Sequence, residues 1–179
     1  MAKLGINALN KFLKTDLKVH LLEMYWDFRI LSEADLQSVV WKLLNEFIAR
    51  TDSKPERFKV LNKPYLKGLR IHPDIVIFRR GKPWVVIELK ERRVLSELSA
   101  RRELGRLLKS REKFKAKKGY LLYVARYGDG RALRGPKGPA ARFFFEVPII
   151  LQTVKTAESI KKWENDFRFW AKYVGEDSK

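Results

Sequence analysis

The stretch Pro73-Asp74-Ile75-Val76-Ile77-Phe78-Arg79-Arg80-Gly81-Lys82-Pro83-Trp84-Val85-Val86-Ile87-Glu88-Leu89-Lys90 decides the fold. Two runs of β-branched and aromatic residues flank a polar centre, Arg79 to Pro83, a pattern that predicts a β-hairpin. Pairing symmetric about Gly81 sets Asp74 opposite Glu88, Val76 opposite Val86 and Phe78 opposite Trp84, with facing Cβ atoms roughly 5 Å apart. Alternation puts Lys90 on the face of Glu88, and Ile75, Ile77, Val85, Ile87 and Leu89 on a wholly apolar opposite face. Two carboxylates facing each other across neighbouring strands repel, so the pattern calls for a cation. Lys90 brings one charge on a flexible stem. A divalent ion such as Mg²⁺ answers better, because it is held by one or two carboxylates plus waters and phosphate oxygens. The plainer alternative is an amphipathic hairpin with a surface Glu and Lys.

Upstream, Ser32-Glu33-Ala34-Asp35 has the form of a capping box, with Ser32 as N-cap. Leu36, Val39, Val40, Leu43, Leu44 and Phe47 follow at helical spacing as far as Arg50. Ile6 to Tyr25 carries a similar spacing and predicts one helix or two short ones. A strand is expected over Phe58–Leu66, with Pro64 marking an edge or bend, and Lys67-Gly68 as the turn that follows. His72 falls on the strand face of Asp74 and could orient a water or touch a phosphate. Downstream, Arg92 to Lys118 reads as a helix whose apolar stripe is Val94, Leu95, Leu98, Leu104, Leu107, Leu108 and Phe114. Gly119–Arg126 and Arg142–Leu151 read as strands. Between them Tyr127 to Ala141 is rich in Gly and Pro and reads as an exposed loop. Val154 to Val174 predicts a last helix with Ile160, Trp163, Phe167, Trp170 and Tyr173 on one side.

Asp74 and the Glu88-Leu89-Lys90 tripeptide resemble the signature of the PD-(D/E)XK nuclease superfamily of restriction-endonuclease-like enzymes, and they match it residue by residue. The resemblance implies an α/β fold with a core of helix, three strands, helix and strand and a mixed central sheet flanked by helices; the helical spacing of Ile6–Tyr25 and Val154–Val174 adds N- and C-terminal helices that exceed a minimal resolvase core. At 179 residues with 45% hydrophobic content the chain can bury one substantial core, so one nuclease domain is expected over 1–179, made of an N-terminal helical extension (1–30), the core (32–151) and a C-terminal helix (152–179). By the same resemblance, Asp74, Glu88 and the backbone carbonyl of Leu89 would bind Mg²⁺ or Mn²⁺, and Lys90 would orient the attacking water or stabilise charge on the phosphate. The archaeal Holliday-junction resolvases of the superfamily place a further metal-binding Glu on the first helix, and Glu33 stands in that relation to Leu36. The other reading of Glu33 is a carboxylate set favourably against the helix dipole. The activity implied is metal-dependent hydrolysis of DNA phosphodiesters leaving a 5′-phosphate and a 3′-hydroxyl, by a homodimer as in the resolvases. Structure-specific cutting of branched DNA and sequence-specific restriction both fit the signature.

Charge points to the same partner. The 179 residues hold 39 Lys plus Arg against 21 Asp plus Glu, a formal net charge of +18, which is a footprint for a polyanion. Arg101, Arg102, Arg106 and Lys109 on the long helix, and Arg131, Arg134 and Lys137 in the Gly/Pro-rich segment, are the expected phosphate contacts. A catalytically silent nucleic-acid-binding protein with the same fold fits the charge equally well, and the basic first helix could instead lie on a membrane surface. The absence of cysteine excludes disulfides and thiolate metal sites. No phosphate loop or dinucleotide fingerprint occurs, so no nucleotide cofactor is expected. No apolar run reaches membrane-spanning length and no signal-peptide pattern stands at the N-terminus, which leads to the expectation of an intracellular protein, cytoplasmic or nucleoid-associated.

Overall fold

Two residues close the hairpin. In the computed structural model, which describes residues 4–64, 72–94, 97–127 and 144–150 and isolated positions between 158 and 168, Arg80 and Gly81 have φ of 53° and 74°. Positive φ at both centres suits a type I′ turn, whose twist matches that of the flanking strands. Strands β2 (Ile75–Arg79) and β3 (Lys82–Val94) therefore pair tightly. Ile75 faces Ile87, Val76 faces Val86 and Ile77 faces Val85, as symmetric pairing requires. The register then slips by one: Phe78 faces Pro83, not Trp84, and Arg79 faces Lys82. The two-residue turn leaves one residue too many on β3. The resulting bulge sends Trp84 into the core, edge-on to Phe58 with centroids 5.5 Å apart.

The five-stranded mixed sheet runs β1-β2-β3-β4-β5. Strand β1 (Phe58–Asn62) is antiparallel to β2, whereas β4 (Lys118–Tyr127) and β5 (Phe144–Ile150) continue parallel from β3. A parallel neighbour needs a long crossover, and helix α4 (Glu97–Phe114) supplies it. Several expected boundaries move. Helix α4 ends at Phe114, short of Lys118, and β4 takes in Lys118 from the expected helix and Tyr127 from the expected loop, because both ends pair with β3. Arg92 to Val94, read as the start of the helix, stay in β3 because Arg92 and Val94 pair with Ala125 and Tyr127. Strand β1 ends at Asn62, short of Leu66. The Lys67-Gly68 turn, the segment 128–143 and most of the expected helix 152–179 lie outside the described residues.

The two faces of the sheet bury different helices. Ile75, Ile77, Val85, Ile87, Leu89, Tyr120, Leu122 and Val124 form one core with helices α1 (Ile6–Lys14), α2 (Asp16–Trp26) and α3 (Glu33–Thr51). On the opposite face α4 packs against β3 and β4 and buries Leu104, Leu107 and Phe114. The N-terminal helices belong to the first core: Leu9, Leu13, Leu17, Leu21 and Tyr25 are fully buried, and Phe12 stacks on Phe47 at 4.1 Å. Asp52, just past the end of α3, accepts a hydrogen bond from the backbone N–H of Leu4 at 2.7 Å and ties the chain start to the same core. The capping box forms as expected: the Ser32 hydroxyl accepts from the Asp35 N–H, and the Asp35 carboxylate accepts from the Ser32 N–H at 2.9 Å. Farther along α3 the Trp41 indole donates to the carbonyl of Val60 at 2.9 Å, on the outer edge of β1. No helix among the described residues is long and apolar enough to cross a membrane.

Because α1 and α2 share the main core, Leu13→Ala is expected to lower unfolding free energy by about 2–5 kcal/mol, as measured by urea denaturation. A loss below about 1 kcal/mol would show that these helices are an appendage.

Candidate functional site

The register of β2 and β3 brings Asp74 against Glu88, and their carboxyl groups share a hydrogen bond. Glu88 is buried, as is the Ser110 hydroxyl on α4 that donates to its Oε1 at 3.1 Å. Burial above all, and then the neighbouring Asp74 charge, push the Glu88 carboxyl up to about 8. The Arg106 guanidinium and Ser110 pull in the opposite direction. Asp74 is also raised by burial, against the opposing pull of the Leu89 backbone N–H, which donates to its Oδ2 at 2.8 Å. The polarity of the pair follows: near neutral pH Glu88 holds the proton and Asp74 accepts it.

Helix α3 fixes this corner. Gln37 is buried one turn beyond Glu33, and its side-chain amide donates to the main-chain carbonyl of Asp74 at 2.9 Å. That carbonyl also accepts from the Lys63 N–H at 2.7 Å, so the strand start is held from two directions. Glu33 does not join the carboxylate pair through a direct contact. It binds the ammonium of Lys90, with Nζ 3.1 Å from each of its oxygens, while its charge still raises Asp74. The Lys90 side chain is only 14% exposed, and Glu33 is half-exposed at 43%. The arrangement is a chain of four groups, Glu88–Asp74 joined by a proton and Lys90–Glu33 joined by charge.

Among the described residues no group of three or more His, Cys, Asp or Glu side chains gathers closely enough to hold a metal. The donor set that remains is the Asp74–Glu88 pair. It fits a hard divalent ion in chemistry, because such an ion needs only one or two carboxylates with waters, and a cation would replace the proton the two now share. Ser110 and the Leu89 N–H each occupy one carboxylate oxygen and so orient the pair. Since N–H and C=O of one strand residue point to the same edge, the Leu89 carbonyl lies on the Asp74 side of β3.

Of the expected phosphate contacts, Arg102, Arg106 and Lys109 are exposed on α4, and with Lys113 they form one line at helical spacing. Arg106 also donates to the buried Glu103 at 3.2 Å. Arg101 falls in α4 with its side chain outside the described residues, as are Arg131, Arg134 and Lys137 altogether. His72 is exposed. Sequence reasoning passed over Gln37, Glu103 and Ser110. The signal was available for two of them: Glu103 and Ser110 fall with Leu107 and Phe114 on the inward stripe of α4, where a polar side chain needs a buried partner.

A raised carboxyl makes stability depend on pH in a definite direction. The native protein retains the Glu88 proton over the window from about 4.5 to about 8, where the unfolded chain has lost it, so stability is greatest below that window and falls as pH rises through it. Without metal, thermal melts of the wild type should decline from pH 5 to pH 8, with a loss on the order of a few kcal/mol. Glu88→Gln keeps position 88 uncharged at every pH and should flatten the profile; a wild-type profile that is already flat would overturn the shared proton.

Comparison of the chain with protein-family models, with curated proteins and with solved structures finds no match.

Proposed function

We propose that this protein is a divalent-metal-dependent DNA endonuclease of the PD-(D/E)XK type. The observation that carries the reading is the pairing of Asp74 with Glu88 in a buried corner, with the Lys90 ammonium held beside it by Glu33. A structural role gains nothing from setting a part-buried acid, Asp74, against a buried one, Glu88, where the two repel when ionised. A phosphodiesterase does gain, because it needs a site that concentrates positive charge on demand. The order α3, β1, β2, β3, α4, β4 supports a restriction-endonuclease-like core, and the net charge of +18 supports a polyanionic substrate.

Asp74 and Glu88 would hold Mg²⁺ or Mn²⁺, with the Leu89 carbonyl as a further oxygen donor, while Glu33, expected from the resemblance as another ligand, instead holds Lys90 beside the pair. The ion, when bound, lowers the pKa of a water and neutralises charge on the phosphate. The residues do the rest. Glu88 gives up the shared proton and becomes anionic, while the Ser110 hydroxyl and the Leu89 N–H keep the two carboxylates in place. Lys90 would exchange Glu33 for a phosphate oxygen, where its hydrogen bond would strengthen as charge develops in the transition state. Exposed Arg102, Arg106 and Lys109 would line up the DNA backbone along α4. Paired incisions, as in branched-DNA resolution, would need a homodimer. Arg106 also lies close enough to draw the Glu88 carboxyl down, which links the phosphate-binding line to the site itself.

Cleavage of linear duplex, single-stranded, flap and four-way-junction DNA with Mg²⁺, Mn²⁺ or EDTA tests the reading. Metal-dependent cutting should fall at least ~100-fold in Asp74→Ala and Lys90→Ala, with DNA affinity largely retained. Cutting that survives Asp74→Ala would rule the assignment out, and salt-sensitive binding without cutting would favour the silent binding protein. Mg²⁺ uptake at pH 7 should also release about one proton, measured by calorimetry in buffers of different ionisation enthalpy. Uptake with no proton release would mean that the ion binds elsewhere.

A further inference from the structure

Among the described residues, cover on the sheet face that carries Asp74 and Glu88 is uneven. Helix α4 packs on β3 and β4. Toward the β1 edge a groove of about 560 Å³ opens beside the hairpin, with Leu61 and Phe78 as its apolar floor. Cross-strand register places both on the Asp74 face: Leu61 faces Val76, Lys59 faces Phe78, and Asp74, Val76 and Phe78 alternate along β2. Four residues of extended strand separate Phe78 from Asp74, about 13 Å. Arg57, Lys59 and Arg80 form the rim, against a single acid, Glu56. The rim is fixed by the main chain, since the Arg80 N–H donates to the Arg57 carbonyl at 2.7 Å.

We propose that this groove binds unpaired nucleotides of the same strand whose phosphodiester lies at Asp74 and Glu88, with a base on Phe78 and Leu61 and phosphates on Arg57, Lys59 and Arg80. The proposal rests on the nuclease reading above and adds the substrate class. An apolar floor alone would suit many ligands. The cationic rim on a chain of net charge +18 selects a polyanion that also carries flat apolar groups. Nucleic acid has both, and single strands bind through aromatic stacking combined with a basic track. In a duplex the ring faces are stacked on each other and only base edges are offered, so a paired base cannot lie on Phe78. The groove thus favours DNA with a single-stranded segment a few nucleotides from the cut, such as a tail, a flap or an open junction, over blunt linear duplex.

The test is fluorescence anisotropy with the full chain in EDTA, comparing a duplex that carries a single-stranded tail with a blunt duplex of the same length. Phe78→Leu keeps an apolar strand residue and removes the π-face. Arg80→Asn removes the charge with a residue that tolerates positive φ. The wild type should bind the tailed DNA roughly 5- to 100-fold more tightly, and Phe78→Leu should erase most of that preference while leaving blunt-duplex affinity unchanged. Arg80→Asn should reduce the salt slope for tailed DNA by about 0.7–1, which a purely structural role would not do. Equal affinity for both DNAs in the wild type overturns the proposal, and so does a tail preference retained in folded Phe78→Leu. Melting curves establish folding, and if Phe78→Leu fails to fold, the salt slope of Arg80→Asn decides. Cleavage assays with Lys90→Ala as control separate the two readings. Loss of tail preference in Phe78→Leu, in a protein that cuts nothing, supports the groove and refutes the nuclease. Metal-dependent cutting without tail preference refutes the groove alone.

Discussion

The opposition of two carboxyl groups across β2 and β3 governs the rest of this structure. The strands are locked in register by Ile75, Val76 and Ile77 against Ile87, Val86 and Val85, so neither acid can move away without unpairing a buried ladder. With Glu88 buried, water cannot screen the repulsion. The chain answers with a shared proton and with hydrogen bonds drawn from three elements: Ser110 on α4, the Leu89 N–H on β3, and Gln37 on α3 holding the backbone of Asp74. None of the three removes the mutual repulsion; each fixes where it acts. A cation taken up here would have to displace the shared proton, so protonation and any occupancy of the corner would be coupled.

Helix α3 serves as the spacer between this corner and the N-terminal half. Its capping box defines where the helix starts, and hence where Glu33 meets Lys90 and Gln37 meets Asp74 one turn later. The far end of the helix is anchored by Phe47 under Phe12 and by Asp52 under Leu4. A displacement of α1 or α2 would thus reach the carboxylates through one rigid rod about 28 Å long.

Much of this was legible in the sequence, for physical reasons that differ by element. The β2–β3 pairing, the facing acids and the capping box are local consequences of alternation and of short-range hydrogen bonding, and these survive folding unchanged. The bulge at Trp84 was not legible, because symmetric and slipped hairpins have the same composition; burial of a large indole against Phe58 decides between them. The extension of β3 to Val94 depends on pairing with β4, a partner more than twenty residues away in the chain, which outweighs the helical spacing of Val94 and Leu95. The ion pair of Lys90 with Glu33 is likewise a tertiary event. Ser110 was legible in principle, as a polar residue on an apolar stripe, but its partner could be named only once α4 was seen to cross β3 over Glu88.

The Trp41 indole on the Val60 carbonyl has a further consequence for self-association. The pairing of β1 with β2 leaves the N–H and C=O of Val60 pointing away from the sheet, at the centre of a five-residue strand that would otherwise template a neighbour. A side chain from the protein's own helix occupies that acceptor. Growth of the sheet through β1, whether into an orderly pair of molecules or into an aggregate, must first displace it. The indole thus guards the centre of the β1 edge against strand-to-strand pairing, a protection supplied by a side chain rather than by a charge or a proline.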